Sequence, residues 1–494
     1  MLTRGLLGSL CVLLGGWVVA TLPDSTPMLR HHLLVSLRDH EAGRMAGLTV
    51  IMLGLGLLAH AWLRLRVVVG GLDTADGLGL ARFATVLWAA PLLIAPPLFS
   101  RDGWSYAAQG ALVAAGISPY QHGPWILEGP VHEAVDPRWW FTPTPYGPLP
   151  VWWGAEMAHH TGNPLMLAIG HRVLALVGLV LLAWAMPRLA RWTGVNPAVA
   201  TVLVIASPMM IANGVGGLHN DLLMIGLMAA ALVVGVERHW ALGALLAGLA
   251  AAVKLPGGLV ALGIVLATVP VAASLAQRAR RAVEVGVVAL GVLLGLGVVS
   301  GLGHGWIAAL GVPGTVNTLL TPAVIVGGIA DWTSGMLHLG TEPAFFIGVL
   351  RKLGTVATLA VLAWVALRWR TGDRRSAVTA VAVIVGALVL FSPVVQLWYF
   401  LWPLPFLAAV QMPARGRVAL VIGMIVAGLI APLDPSLHGA YVAIVLTVAM
   451  GLLVVGVLWL LNRSTLRAVF GSRRQHGLAP ADPGVQAEQL LHGG

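Results

Sequence analysis

Apolar runs of near-membrane length recur along almost the whole chain. A helix needs about 20 apolar residues to cross a bilayer's hydrocarbon. The runs fall at roughly 6–22, 45–63, 82–98, 173–187, 197–213, 221–236, 241–253, 257–274, 283–302, 353–367, 377–394, 397–411, 418–431 and 440–461. This pattern predicts an all-α, polytopic membrane protein with about 14 transmembrane helices. The segment 147–162, GPLPVWWGAEMAHHTG, is short and carries Glu156, His159 and His160. It reads as an interfacial or re-entrant helix, not a crossing.

The polar residues between the runs set the orientation. Basic clusters occur at Arg64/Arg66, Arg188/Arg191, Arg238, Arg278/Arg280/Arg281, Arg368/Arg370/Arg374/Arg375, Arg415/Arg417 and Arg463/Arg467/Arg473/Arg474. A cytoplasmic amino terminus places every one of them inside, as the positive-inside rule asks. The first run follows Arg4 without a small-residue cleavage pattern, so it reads as a retained helix. Residues 1–470 then form a single transmembrane domain, and 471–494, rich in Gly, Pro, Gln and His, read as a disordered cytoplasmic tail. The same topology sends the 99–162 loop, the turn at 217–221, the 303–350 loop and short turns near 392–398 and 432–439 outward. A multi-pass protein of the plasma membrane with its chemistry on the periplasmic or extracellular side is expected.

Composition narrows the chemistry. The chain is 58% hydrophobic and 10% charged, and its net charge of +10 is almost wholly arginine, since Lys254 and Lys352 are the only lysines. Those arginines sit in short loops, which reads as membrane orientation and not as nucleic-acid binding. The single cysteine, Cys11, excludes an internal disulfide and a thiolate metal site. There is no HExxH, no GxSxG and no P-loop, and the histidines are scattered apart from His31/His32 and His159/His160. No metal site is predicted; a divalent ion bridging Asp102 and a lipid phosphate is left open and is not required. An outward enzyme without access to soluble nucleotides must draw its activated group from a lipid carrier.

Five stretches carry candidate chemistry. In LFSRDGWSYAAQG, 98–110, Asp102 follows a span directly. Trp104, Ala107, Ala108, Ala111, Leu112 and Ala115 recur at helical spacing, which predicts an interfacial amphipathic helix with Ser105 and Gln109 on its wetter side. Asp102 reads as a helix cap, a general base, or both. In ISPYQHGP and FTPTPYGPLPVWW, the prolines 143, 145, 148 and 150 argue against a regular helix. Tyr120, Tyr146, Trp139 and Trp140 read as sugar-stacking walls or as an aromatic belt. NGVGGLHNDLLM, 213–224, places His219, Asn220 and Asp221 at the start of a span, as caps or as ligand contacts. AAAVKLPGG, 250–258, breaks two half-length helices at Lys254, a pattern that brings polar helix ends to a buried site. Finally Arg172, Arg351 and Lys352 lie at outer span ends, against the positive-inside trend, where an anionic headgroup would explain them. Gln396 and Tyr399 in SPVVQLWYF and Asp331 in ADWTSG are weaker leads.

Taken as an ordered set, FSRDGWSYAAQG, GISPY, TPTPYGPL, GGLHNDLLM and VKLPG resemble the actinobacterial polyprenol-phosphate-mannose-dependent α-(1→6)-mannosyltransferases, integral membrane glycosyltransferases of the GT-C type. The resemblance covers about residues 80–410. It implies that Asp102 is the catalytic base, although many GT-C relatives carry two adjacent acidic residues where this chain has Arg101–Asp102–Gly103. It also implies a β-linked mannosyl phospholipid donor, a mannan or lipomannan acceptor with a reacting 6-hydroxyl, and an inverted, α-linked product. The expected donor-phosphate contacts are Lys254, Arg351, Lys352 and Arg172. The expected sugar or acceptor contacts are His219, Asn220, Asp221, Tyr106, Tyr120, Tyr146 and Gln396. The alternatives are a GT-C transferase for another polyprenyl-linked sugar, glucose or arabinofuranose, and a lipid-linked sugar transporter or flippase. A transporter would show internal repeats and mid-membrane polar groups, and the chain shows no convincing repeat.

Overall fold

The computed structural model describes residues 1–433, 437 and 441–461. The predicted tail 471–494, the Arg463/Arg467/Arg473/Arg474 cluster and part of the 432–439 turn lie outside the described residues. No strand occurs among the described residues. The helices that organise the site are α1 (Leu2–Val19), α2 (Glu41–Gly70), α3 (Thr74–Ala89), α4 (Asp102–Ala114), α5 (Pro148–His160), α6 (Pro164–Thr193), α7 (Pro197–Ile205), α8 (Asp221–Glu237), α9 (Trp240–Val253), α10 (Val260–Thr268), α11 (Leu275–Val299), α12 (Pro322–Met336), α13 (Phe345–Arg368), α14 (Arg374–Phe391), α15 (Ala414–Leu429) and α16 (Tyr441–Leu461).

The helices do not confirm about fourteen crossings. Seven of those described are long and apolar enough to span a bilayer, or eight if the bent pair Pro197–Ile205 and Met209–Gly216 is one span. Several of the other expected runs are cut short where polar groups and prolines break them. Ser207–Pro208 bends the pair by 46°, and Lys254–Pro256 separates α9 from the next helical run. Helix α5, at 13 residues, is too short to cross, in keeping with its interfacial reading. Faces of α11 and α13 remain apolar and exposed, including Val283, Val287 and Leu290 on the one and Leu353, Val356 and Leu359 on the other. Such faces suit acyl chains.

One hydrophobic core draws buried residues from Val12 to Val448. Its centre is α8, where every residue from Asp221 to Val233 is buried, packed on α6, α9 and α10. Because α8 opens on Asp221, a carboxylate stands at the end of the most buried helix in this core.

Two sequence readings change at the entry loop. Helix α4 is not an interfacial platform: Gly103 through Gly110 are all buried, because α5 and α6 cover it. Its polar side, Ser105 and Gln109, faces an internal cleft and not open water. Pro148 and Pro150 do not exclude a helix but start α5, since the first-turn N–H groups have no intrahelical partner to lose. Pro143 and Pro145 do lie in non-helical chain, as expected.

The α4–α5 crossing needs glycine. A Cβ on Gly110 would sit 2.3 Å from the carbonyl carbon of Gly154, inside van der Waals contact with backbone that cannot yield. Gly110→Val is therefore expected to lower the yield and melting temperature of detergent-purified protein markedly. Gly286→Ala, which meets nothing within 4 Å, should behave as wild type. Equal melting temperatures for the two variants would contradict this packing.

Candidate active site

Four distant segments are tied to one another by backbone before any side chain is considered. Leu98 N–H donates to the Gly216 carbonyl at 3.2 Å, joining the α4 entry to the glycine turn. Gly147 N–H donates to the Val253 carbonyl at 3.0 Å, joining the proline-rich loop to the Lys254 break. Phe99 (φ 60°) and Leu218 (φ 47°) both adopt left-handed backbone, one just before Asp102 and one just before His219. Non-glycine residues held this way cost about 1–3 kcal/mol each and tend to mark functional sites. A π-helical turn over Met209–Val215 precedes the second of them.

Asp102 is the first residue of α4, with its side chain 13% exposed. It is not the cap. The cap position belongs to Arg101, which makes no side-chain capping bond, and Asp102's own N–H donates to Ser100 Oγ at 3.0 Å. Its Oδ2 instead accepts from the hydroxyls of Tyr146 at 3.2 Å and Tyr106 at 3.4 Å. The two hydroxyls lie 3.2 Å apart and their rings pack edge to face. Burial, and after it the charge of Asp102, pushes both tyrosine hydroxyls well above their ordinary range. They keep their protons and remain donors to the carboxylate. His219 lies behind, with Nδ1 3.8 Å from Oδ2, too far for a hydrogen bond, and its ring stacks on Trp398 with centroids 3.9 Å apart.

A second carboxylate is paired with a cation through one of its oxygens. Asp221 Oδ1 accepts from Lys254 Nζ at 3.2 Å and from Trp402 Nε1 at 2.7 Å. Lys254 Nζ also lies over the rings of Tyr399 at 4.4 Å, Trp402 at 5.0 Å and Tyr146 at 5.2 Å. Three rings and one carboxylate thus hold the ammonium, the arrangement that cation–π attraction and ion pairing favour at a desolvated site.

Two clefts meet at Asp102. The first is an open cleft of about 580 Å³, its solvent-filled mouth included, between Asp102, Ser105, Gln109, Tyr146, Lys254 and Tyr399. The second, about 1040 Å³, runs from Asp102 past Arg101 and Arg138 towards Leu319, Leu320, Ile430 and Leu433. Trp139, Gln396 and Trp398 border both.

The predicted residues divide by position. Asp102, Tyr146, Lys254 and Gln396 face the clefts. Tyr106, His219, Asn220 and Asp221 are buried behind the wall and shape it; Asn220 holds the N-cap position of α8 without a side-chain capping bond. Tyr120 braces the wall, its hydroxyl donating to the Tyr146 carbonyl at 3.1 Å. Trp140 packs against His132, away from the clefts. Arg172 is 2% exposed and donates to the carbonyls of Leu93, Val215 and Gly216, so it fastens the glycine turn. Arg351 donates to the carbonyls of Gly314, Val316 and Pro393 and to Asn317 Oδ1, binding together two loops that line the clefts. Lys352 is exposed on α13. Asp331 accepts from the N–H groups of Phe346 and Ile347, bridging α12 to the start of α13. Among the described residues no three His, Cys, Asp or Glu side chains gather as metal ligands would.

Sequence reasoning missed Trp398 and Trp402, whose aromatic run reads as one more apolar span. It also missed Asp136 and Arg138. Arg138 forks onto Asp136, Nε to Oδ1 at 3.0 Å and Nη2 to Oδ2 at 2.6 Å. Burial opposes the charge of Asp136, but hydrogen bonds from Arg138 and the nearby charge of Arg101 outweigh it and hold the carboxyl below its usual range.

Comparison with known proteins gives the family. A family model described as the N-terminal domain of α-(1→6)-mannopyranosyltransferase matches residues 2–271, and one described as the MptB C-terminal domain matches 323–460. The chain belongs to the α-(1→6)-mannopyranosyltransferase family. It is a glycosyltransferase. A probable α-(1→6)-mannopyranosyltransferase of Mycolicibacterium smegmatis is 32% identical over 425 residues, covering 78% of this chain and 74% of that protein. α-(1→6)-Mannopyranosyltransferase A of Mycobacterium tuberculosis is 31% identical over 451 residues, 88% of this chain and 85% of that one. α-(1→6)-Mannopyranosyltransferase B of Corynebacterium glutamicum is 29% identical over 394 residues, 73% and 65% of the two chains. The glycosyltransferase's two clefts, its family match and its membrane-length helices are mutually consistent.

The Asp221–Lys254 pair has a measurable consequence. Asp221→Asn should strongly lower the melting temperature, because losing one partner of a buried pair costs about 3–5 kcal/mol. The double variant Asp221→Asn/Lys254→Met should recover much of that loss, since it leaves no unpaired buried charge. Losses that simply add in the double variant would contradict the pairing.

Proposed function

We propose that this glycosyltransferase moves mannose from a polyprenyl-phosphate-mannose donor to the 6-hydroxyl of a mannan or lipomannan acceptor, at the outer face of the plasma membrane, with inversion. The observation that carries the reading is the position of Asp102: a carboxylate held by two neutral tyrosine donors at the junction of two clefts. A transferase must bring two substrates to one base, and this is the point where both clefts reach a proton acceptor. The names of the relatives supply the sugar and the linkage.

The chemistry is a single displacement. Asp102 accepts the proton of the acceptor 6-hydroxyl as that oxygen bonds to the anomeric carbon. The bond from that carbon to the phosphate oxygen breaks, and the polyprenyl phosphate departs with the electron pair. Attack from the face opposite the phosphate converts a β-linked donor into an α-linked product. Tyr106 and Tyr146 orient the carboxylate and stay protonated throughout. Gln396 and Trp398, bordering both clefts, would contact the sugar between them. Lys254 lines the smaller cleft but shares its charge with Asp221, which suits it to sugar hydroxyls better than to a phosphate. Outward orientation follows from the basic loops, and the lipid donor follows from orientation.

General-base catalysis is typically worth about 10²–10⁴-fold. Asp102→Asn should lower kcat by at least about 10²-fold in an assay of purified protein with mannosyl phospholipid and a short α-mannoside, at unchanged melting temperature. A folded Asp102→Asn protein with near-normal transfer would overturn the assignment of the base.

A further inference from the structure

We infer that Arg101 and Arg138, which the sequence had left unassigned or missed, form the seat of the donor's phosphate, and that the apolar wall beyond them takes the first units of its prenyl chain. This inference rests on the proposed lipid-phosphate donor and deepens it. The larger cleft pairs two guanidinium groups with a wall of leucine and isoleucine side chains, whereas the smaller one has a single cation, Lys254. At its inner end are the guanidinium groups, one next to Asp102 in sequence and the other fixed by its fork onto Asp136. At its outer end are Leu319, Leu320, Ile430 and Leu433. A polar cationic end continuous with an aliphatic wall matches a prenyl phosphate, an anion on a hydrocarbon chain. Leu319, 77% exposed, opens that wall to the surroundings.

The charges support the same division. Arg101 and Arg138 line the larger cleft together with two carboxylates, Asp136 and Asp102, so its formal charges balance before reaction. Transfer moves one unit of negative charge: Asp102 becomes a neutral acid and the departing phosphodiester becomes a monoester. Guanidinium groups beside both ends stay in place while that charge crosses between them, which is where fixed positive groups lower a barrier. Arginine also matches phosphate geometry through paired N–H donors. Lys254 offers less, because its side chain is 8% exposed against 50% for Arg138 and it lines only the smaller cleft, apart from Leu319, Leu320, Ile430 and Leu433.

The test uses the full chain in detergent with farnesyl phosphate as the probe, and inorganic phosphate and farnesol as separate arms. The variants are Arg101→Gln, Arg138→Gln, Arg138→Lys and Leu319→Glu, each checked by thermal unfolding. Hydrogen bonds to charged groups predict that Arg138→Gln and Arg101→Gln each weaken farnesyl phosphate about 10- to 100-fold. Arg138→Lys, keeping charge but losing the fork, should fall between Arg138→Gln and wild type. Leu319→Glu should weaken farnesyl phosphate and farnesol but leave phosphate alone. In transfer assays the arginine variants should raise the donor KM and spare the acceptor KM. Unchanged farnesyl phosphate binding with a raised acceptor KM would overturn the inference. So would inorganic phosphate binding as tightly as farnesyl phosphate to wild type. Arginine-dependent binding of farnesyl phosphate without any mannosyl transfer would instead leave this site standing and remove the proposed function.

Discussion

A carboxylate that must take up a proton cannot be left loose at the end of an apolar bundle. An unsatisfied buried charge is expensive, and a carboxylate locked to a cation is a poor base. Around Asp102, the proposed base, tyrosines meet that constraint. Tyr106 and Tyr146 donate neutral hydrogen bonds to Asp102, fixing its geometry without adding a charge of their own. Asp221 shows the contrasting solution a short distance away: Lys254 and Trp402 hold it, and it anchors the base of the site. Two carboxylates in one pocket wall thus take separate roles because their partners differ.

The rest of the architecture serves to deliver those partners. Tyr106 comes from α4, Tyr146 from the proline-rich loop, His219 and Asp221 from the glycine turn, and Lys254 from the break after α9. All but Tyr106, which lies within α4, sit where a helix starts, stops or bends, because regular apolar helices leave no free backbone groups at that depth. Left-handed Phe99 and Leu218, the π-helical turn and the Lys254–Pro256 break are the local departures from helix that permit the convergence. Arg172 fastens the end of the π-helical turn by donating to the Val215 and Gly216 carbonyls, and Arg351 does the same for the irregular chain at Gly314, Val316 and Pro393.

This explains what could be read from the sequence. The broken short helices around Lys254 were visible as two apolar runs too short to cross, divided by a lysine and a proline. Asp102 stood out because a carboxylate ends an apolar run. The crossing number was not legible, since apolar composition persists through segments that prolines and site residues cut below membrane length. Nor were the roles of Arg172 and Arg351, because a cation at a span end looks the same in sequence whether it meets a headgroup or a carbonyl. Trp398, Trp402 and Arg138 acquire meaning only from folding, which brings residues far apart in the chain to the same carboxylate.

In the proposed reaction the two clefts hold two substrates whose reacting atoms meet at Asp102. A structure of the protein with a prenyl phosphate and a short α-(1→6)-linked mannoside bound together tests it most directly. The acceptor 6-oxygen should lie within hydrogen-bond reach of the Asp102 carboxylate, about 2.6–3.2 Å, with the phosphate on the other side of the site. An acceptor whose 6-oxygen lies remote from Asp102, or a phosphate bound between Asp102 and the tyrosines, would contradict the account.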